Sequence, residues 1–424
     1  MPEARETPPP TGSVVVALDD ILAARERLTG ELPVTPCVRS EILSQQVGAE
    51  IFLKLETLQQ TGSFKPRGAL NRLLNLNAAE KRAGVVAASA GNHAQGVAFA
   101  AARVGVSARI VMPEPTPLVK ITRTRALGAE VIRHGQTFDE AYEHAEELAR
   151  EHGHVFVPAF DDPWIIAGQG TVGLEILDQV PGVEAIVVPI GGGGLISGIA
   201  TAVKARQKAV EVLGVQTEAA PAMQQSFATG TLQSPPLGPT IAEGIAIKHP
   251  GTLTFPIIQR LVDDVALVSE SEIEAAVYEL LAHAKLLTEG SGAAGAAALL
   301  NHRWPRLEGR RVVVVLCGAN IDLNLLEHII QRALVRQHRL VRLRVSVADR
   351  PGALAALLRH IGRQEANVLH IEHDRFDPGN SLWRVEVELT LETRDREHID
   401  TLFAALLADG YEDAEELALK PLTG

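Results

Sequence analysis

The sequence predicts an α/β protein with open parallel sheets covered by helices, followed by a smaller ferredoxin-like unit. Three observations lead there. Between about residues 50 and 335, short continuous apolar runs alternate with helical patterns, which is how parallel strands buried on both faces read. From residue 340 the pattern becomes alternating: Val341, Leu343, Val345 and Val347 on one face, Arg342, Arg344 and Ser346 on the other, the mark of a half-exposed strand. The composition supplies the core: of 424 residues, 46% are hydrophobic, 22% charged and 4% aromatic. The expected division is a disordered tail at 1–12, a large domain at 13–335 with a smaller subdomain at about 58–160, a linker at 336–339 and a small domain at 340–424.

In chain order, residues 19–29 read as an amphipathic helix capped by Asp19 or Asp20, and 34–39 as an extended piece bounded by prolines. Strands are expected at 51–55, 85–88, 108–112, 130–133, 185–190, 210–216 and 311–316. Helices are expected from Lys65 onward and at 92–104, 117–127, 137–151, 165–178, 194–206, 271–287, 292–300 and 322–335. The stretch 292–300 is rich in alanine and glycine, which suits close packing in the interior. After the strand 340–347, Asp349-Arg350-Pro351-Gly352 opens a helix to 361 with Pro351 at its first position. Strands at 367–374 and 382–391, a helix at 395–408 and a weak strand at 413–419 complete a β-α-β-β-α order.

The net charge of −12 argues against a nucleic-acid partner. The basic positions from Arg332 to Arg344 read as a solvated linker and strand face. No apolar run reaches the roughly 18 residues that span a bilayer. The polar, proline-rich start, residues 1–11, lacks the basic-then-apolar order of a secretory signal. The two cysteines, Cys37 and Cys317, make no metal spacing and no structural disulfide, so a reducing cytoplasm is expected.

Chemistry concentrates in four turns. In Ser63-Phe64-Lys65-Pro66-Arg67-Gly68-Ala69, a lysine opens a helix behind a strand. A helix start and nearby cations favour the neutral amine, a nucleophile toward aldehydes whose commonest use is a Schiff base to pyridoxal phosphate. The competing reading is a solvated surface lysine. Ser89-Ala90-Gly91-Asn92-His93-Ala94-Gln95-Gly96 joins a buried strand to a helix, where a parallel sheet binds ligands. Ser89 and the loop N–H groups suit a carboxylate, and the Asn92 amide can donate to a phenolate oxygen. His93 also reads as an ordinary helix-start histidine. Gly191-Gly192-Gly193-Gly194 follows a strand and opens a helix, which suits N–H groups converging on a phosphate. A dinucleotide loop competes, but the G-x-G-x-x-G spacing fails at Ile196 and Ser197. In Cys317-Gly318-Ala319-Asn320 the thiol can face a pyridine nitrogen or be merely structural. Glu289, in Thr288-Glu289-Gly290-Ser291-Gly292, lies near a cofactor or caps a helix.

Together and in this order, these stretches resemble the pyridoxal-phosphate threonine dehydratases (threonine ammonia-lyases) of the tryptophan-synthase-β-like fold, over roughly the first 335 residues. From Leu340 onward the chain resembles a single ACT regulatory domain, on its Asp-Arg-Pro-Gly turn and the stretch from Asn367 to Arg375. The resemblance implies that Lys65 holds pyridoxal phosphate beside Phe64, and that Asn92 bonds the ring hydroxyl. It implies that Gly191, Gly192, Gly193, Gly194 and Leu195 wrap the phosphate, and that Cys317 faces the ring nitrogen. Ser89, Gly91, Asn92 and His93 would border the substrate carboxylate. Asp349, Gly352 and Asn367 would face an amino-acid effector, isoleucine or valine. The substrate would be L-threonine, with L-serine also used, and pairing of ACT domains implies a homodimer or homotetramer. Serine racemases of this fold carry a second serine where Ala90 stands, which disfavours racemisation. Where such racemases place metal-binding carboxylates, this chain has Gln216 and Ala222, so no carboxylate metal site is expected. A 3-hydroxyaspartate dehydratase, a serine racemase and an inert amino-acid sensor remain the alternatives.

Overall fold

The computed structural model describes residues 16–373 and 383–418, and the chain divides into two compact units after Ile321. The expected tail lies outside the described residues. In the first unit, six strands form a sheet in the order Cys37–Arg39, Glu50–Leu55, Arg311–Leu316, Ala185–Pro189, Glu211–Thr217 and Asp264–Val268. All pairs are parallel except the first. A second, fully parallel sheet runs Glu130–Arg133, Ala108–Met112, Val85–Ala88 and Val155–Phe156. The strands Val85–Ala88 and Ala185–Pro189, and Arg311–Leu316 after its first residue, are continuously apolar because both of their faces are buried.

Small residues let the interior helices approach one another. A Cβ on Gly198, in the helix Gly194–Arg206, would stand 2.4 Å from the Ile166 carbonyl oxygen of the helix Pro163–Gln179. The helix Gly290–Leu300 is buried through Leu299, as its alanine and glycine content predicts.

Elements that the apolar pattern does not reveal are short ones: Glu41–Val47, capped by Ser40; Ala78–Ala83, capped by Asn77; Ala222–Thr229; Thr254–Leu261; and the two-residue strand Val155–Phe156. The strand Asp264–Val268 is half-buried and also escapes the pattern. The helix expected at 271–287 spans Glu270–Ala282, started by a Ser269–Glu272 capping box and ended before Lys285, whose φ is +60°.

The second unit carries an antiparallel sheet in the order Asn367–His373, Arg384–Glu392, Leu340–Ala348, Glu415–Leu417. The helices Ala353–Arg363 and Arg396–Ala408 pack on it through Leu357, Ile361, Leu402 and Leu406. Leu323–Arg336 sorts with this unit, so the compact boundary precedes the linker expected at 336–339. Two details depart from expectation. Gly352, at φ +84°, precedes the first helical residue Ala353, so Pro351 sits in the turn and not at the helix start. Arg342 is buried, not solvated, and pairs with Glu388, which lies diagonally across the ladder from it and directly opposite Arg344.

Candidate active site

Lys65 is the first residue of the helix Lys65–Leu74, with Pro66 in the opening turn. Its backbone rests on Gly96, where a Cβ would lie 2.9 Å from the Lys65 Cβ. Two residues on, the buried Arg67 donates to Glu56, Glu175 and Thr171, with Nε to Glu56 at 2.7 Å and Nη1 to Glu175 at 2.6 Å. Lys54 joins the same buried network through Glu175. Two cations face two carboxylates there, and the helix start is pinned at both sides. The Lys65 Nζ donates to the Ala159 carbonyl at 2.9 Å. Burial lowers its pKa from 10.5 to about 8, against the pull of Glu289.

The segment after Ala159 joins this amine to the glycine turn. A Cβ on Gly192 would meet the Phe160 ring at 2.3 Å, and one on Gly194 would meet the Phe160 Cβ at 3.0 Å. Asp161 accepts the N–H groups of Thr252, Leu253 and Thr254. Thr254 in turn donates its hydroxyl to the Gly192 carbonyl at 2.6 Å. Gly193 takes φ +98°, open to glycine at little cost. A Cβ on Gly191 would stand 3.1 Å from the Gly244 carbonyl oxygen. Leu195 is buried in the same apolar cluster as Cys317, with Phe64 packed against it. The helix Gly194–Arg206 thus begins with free N–H groups beside the lysine, a ready anion site.

Cys317 and Phe64 meet through the Phe64 N–H, which donates to the Cys317 carbonyl at 3.1 Å, and Ser63 bridges to Gly318. Burial pushes the Cys317 thiol far up, so it stays protonated. Asn92, at the start of the helix Asn92–Val104, donates Nδ2 to Glu289 Oε1 at 2.7 Å. Glu289 makes no side-chain cap to its own helix; burial raises its pKa to about 7, against the Asn92 hydrogen bond. Ser89 Oγ accepts the Gly91 N–H at 3.1 Å, which shapes the turn. The His93 ring turns inward to the Val157 carbonyl at 2.9 Å. Burial, then the Lys65 charge, drives its pKa to about 3. This ring is committed to the backbone just after the strand Val155–Phe156, which leaves the His93 N–H as the group it can offer a ligand.

Three buried hydroxyls next to these groups, Thr61 Oγ1, Ser63 Oγ and Ser291 Oγ, have no partner. Sequence reasoning passed over Ala159, Phe160, Asp161, Thr254, Gly96 and Asn320 as site residues. Gly96 and Asn320 close two of the quoted turns, and Asp161 lies in the acidic pair ahead of Pro163 that starts a helix.

At the C-terminal sheet, the positions expected to face one effector do not meet within the chain. Asn367 pairs with Glu392 opposite Leu340, whereas Asp349 and Gly352 follow Ala348 at the other end. The strand between them is roughly 26 Å long at about 3.3 Å per residue. Asn367 instead lines a cleft of about 380 Å³ with Arg339, Glu392, Thr393 and His398. Gln216 and Ala222 are both buried, and the Gln216 Oε1 accepts the Gln224 N–H at 2.8 Å. Among the described residues, no helix is long and apolar enough to cross a membrane.

Comparison with known proteins identifies the family. The family model "Pyridoxal-phosphate dependent enzyme" matches residues 28–318, and the model "ACT domain" matches 341–408. The L-threonine ammonia-lyase of Thermotoga maritima is 47% identical over 398 residues, covering 94% of this chain and 99% of that protein. The structure of the processed form of threonine deaminase isoform 2 from Solanum lycopersicum superposes with a TM-score of 0.71 at 38% identity, over 74% of this chain and 92% of that one. Maize serine racemase superposes with a TM-score of 0.72 at 34% identity, over 76% of this chain and 99% of that one.

Proposed function

The chain belongs to the pyridoxal-phosphate-dependent enzymes and carries a C-terminal ACT domain, and from that premise we propose that it is a threonine ammonia-lyase. It converts L-threonine to 2-oxobutanoate and ammonia, and L-serine to pyruvate. The observation that carries this reading is a buried amine of lowered pKa, one residue's reach from a glycine turn that has no room for side chains. The residues fit the cofactor. Lys65 supplies the amine for its aldehyde, and the bare N–H groups of Gly191–Gly194 supply a phosphate cradle. The unpartnered hydroxyls of Ser63 and Ser291 need polar company.

Pyridoxal phosphate, when bound, supplies an electron sink that acidifies the α-proton of an amino acid. Lys65, whose lowered pKa makes its neutral amine far easier to reach than in an ordinary lysine, takes that proton as general base. Its ammonium then gives a proton to the departing β-hydroxyl, which leaves as water. Hydrolysis of the released enamine consumes one water and frees ammonia. Cys317 would face the ring nitrogen, and its neutral thiol donates only weakly there, which limits charge build-up on the ring and favours prompt elimination. Asn92 would hold the ring hydroxyl. Ser89, Gly91 and the His93 N–H border the carboxylate. Ala90 offers no acid or base to the opposite face.

An assay of oxo acid and ammonia across L-threonine, L-serine, D-serine and 3-hydroxyaspartate tests this. Equimolar 2-oxobutanoate and ammonia from L-threonine are expected. Serine racemised without oxo acid, or hydroxyaspartate as the sole substrate, would refute it. The ACT domain binds isoleucine or valine at the turn of Asp349 and Gly352 and shifts turnover. Isoleucine should change the rate of the full chain and leave Asp349→Ala unaffected; equal responses would remove that assignment. Assembly as a homodimer or homotetramer is checked by sedimentation.

A further inference from the structure

We propose that Asn320 is a positioning residue that decides which end of the Asn92 amide faces the cofactor. The inference rests on the pyridoxal-phosphate reading and on Asn92 as partner of the ring hydroxyl. Asn320 Nδ2 donates to the Thr61 carbonyl and to Asn92 Oδ1, each at 2.7 Å. A carbonyl only accepts, so Thr61 fixes which end of the Asn320 amide points its way. Both Nδ2 hydrogens of Asn320 are then used, and Asn92 must turn Oδ1 toward it. Asn92 Nδ2 is left on the other side, where Glu289 Oε1 accepts one hydrogen at 2.7 Å. Its second hydrogen is the one available to the cofactor.

Reversing the Asn92 amide sets nitrogen against nitrogen at Asn320 and loses that hydrogen bond whatever the state of Glu289; where Glu289 is ionised it also sets oxygen against a carboxylate. The surroundings hold this chain tightly. A Cβ on Gly318 would stand 2.4 Å from Glu289 Oε1 and 3.2 Å from Asn92 Nδ2, and one on Gly62 would stand 3.2 Å from Asn320 Oδ1. The Asn320 N–H also faces the Glu289 carboxylate. Two glycines therefore leave space for a relay of three amide and carboxylate groups that runs from a backbone carbonyl to the ring-hydroxyl partner.

Asn320→Asp replaces the donor by an acceptor and drives Asn92 to present oxygen where the cofactor needs N–H. Absorbance titration of the cofactor-free full chain with pyridoxal phosphate reads the effect. The dissociation constant should rise about 10- to 100-fold in Asn320→Asp, the range of one hydrogen bond to a charged group, and less in Asn320→Ala, which removes the constraint without reversing it. In an Asn92→Ala background, Asn320→Asp should cause no further loss, because it acts through the missing amide. Thermal melts of the cofactor-free proteins confirm that each is folded. Wild-type affinity in Asn320→Asp, or additive losses in the double variant, would overturn the inference and leave the proposed function standing. A wild-type chain that takes up no pyridoxal phosphate would overturn both.

Discussion

Replacing Gly96 by alanine tests how the lysine is held. An ideal Cβ there lies 2.9 Å from the Lys65 Cβ, 3.1 Å from its carbonyl carbon and 3.3 Å from its carbonyl oxygen. Carbon atoms in contact prefer about 3.5–4.0 Å, so the helix Lys65–Leu74 must retreat by roughly 0.6–1 Å. Its far side offers no room, because a Cβ on Gly168 already falls 2.5 Å from the Arg67 carbonyl oxygen. Overpacking of this kind costs about 1–3 kcal/mol, more than the gain of about 1 kcal/mol from alanine in a helix. A displacement of about 1 Å at the reacting amine lowers turnover about 100-fold. Steady-state oxo-acid production at saturating cofactor reads the rate, and a thermal melt reads the stability. Gly362→Ala is the control: it also lies in a helix, faces open space, and should leave turnover unchanged. Gly96→Ala with full turnover and an unchanged melt would refute the argument that this contact sets the position of Lys65.

Further outcomes follow from the buried charges. Arg67→Met leaves Glu56 and Glu175 without their shared guanidinium, and urea unfolding should show a loss of about 3–5 kcal/mol; a loss below about 1 kcal/mol would mean the network contributes little. Because the Lys65 pKa is lowered to about 8, capture of pyridoxal phosphate by the cofactor-free chain should quicken with pH and reach half its maximum near 8 in stopped-flow absorbance, not near 10.5. Glu289 is held at about 7 against an ordinary 4.5, so the folded state keeps its proton longer than the unfolded one. Its contribution to stability is full below pH 4.5 and fades as pH rises through 7. Melting curves of cofactor-free Glu289→Gln should lack that decline; identical pH profiles in both proteins would contradict the assignment.

The elements that carry the site were legible because each joins a continuous apolar run to a helical pattern. The helices Asn92–Val104 and Gly194–Arg206 and the strand Arg311–Leu316 lie where the pattern puts them. What stayed hidden has no side-chain signature. The Lys65 amine is met by the carbonyl of Ala159, a group that almost any residue would supply. The glycine turn is braced by Asp161 and Thr254, residues that are 93 positions apart and linked only by the fold. Arg342 reads as a solvated strand residue until the ladder sets Glu388 beside it. Asp349 and Asn367 read as one effector site until the register sends them to opposite ends of a nine-residue strand.

Borohydride reduction of the cofactor-loaded chain followed by peptide mass mapping tests the covalent claim on which the mechanism depends. The account predicts a single pyridoxyl mass, on the peptide that holds Lys65, and none in Lys65→Ala. A pyridoxyl group fixed on another lysine of the active wild-type enzyme, or full turnover with no group fixed at all, would contradict it.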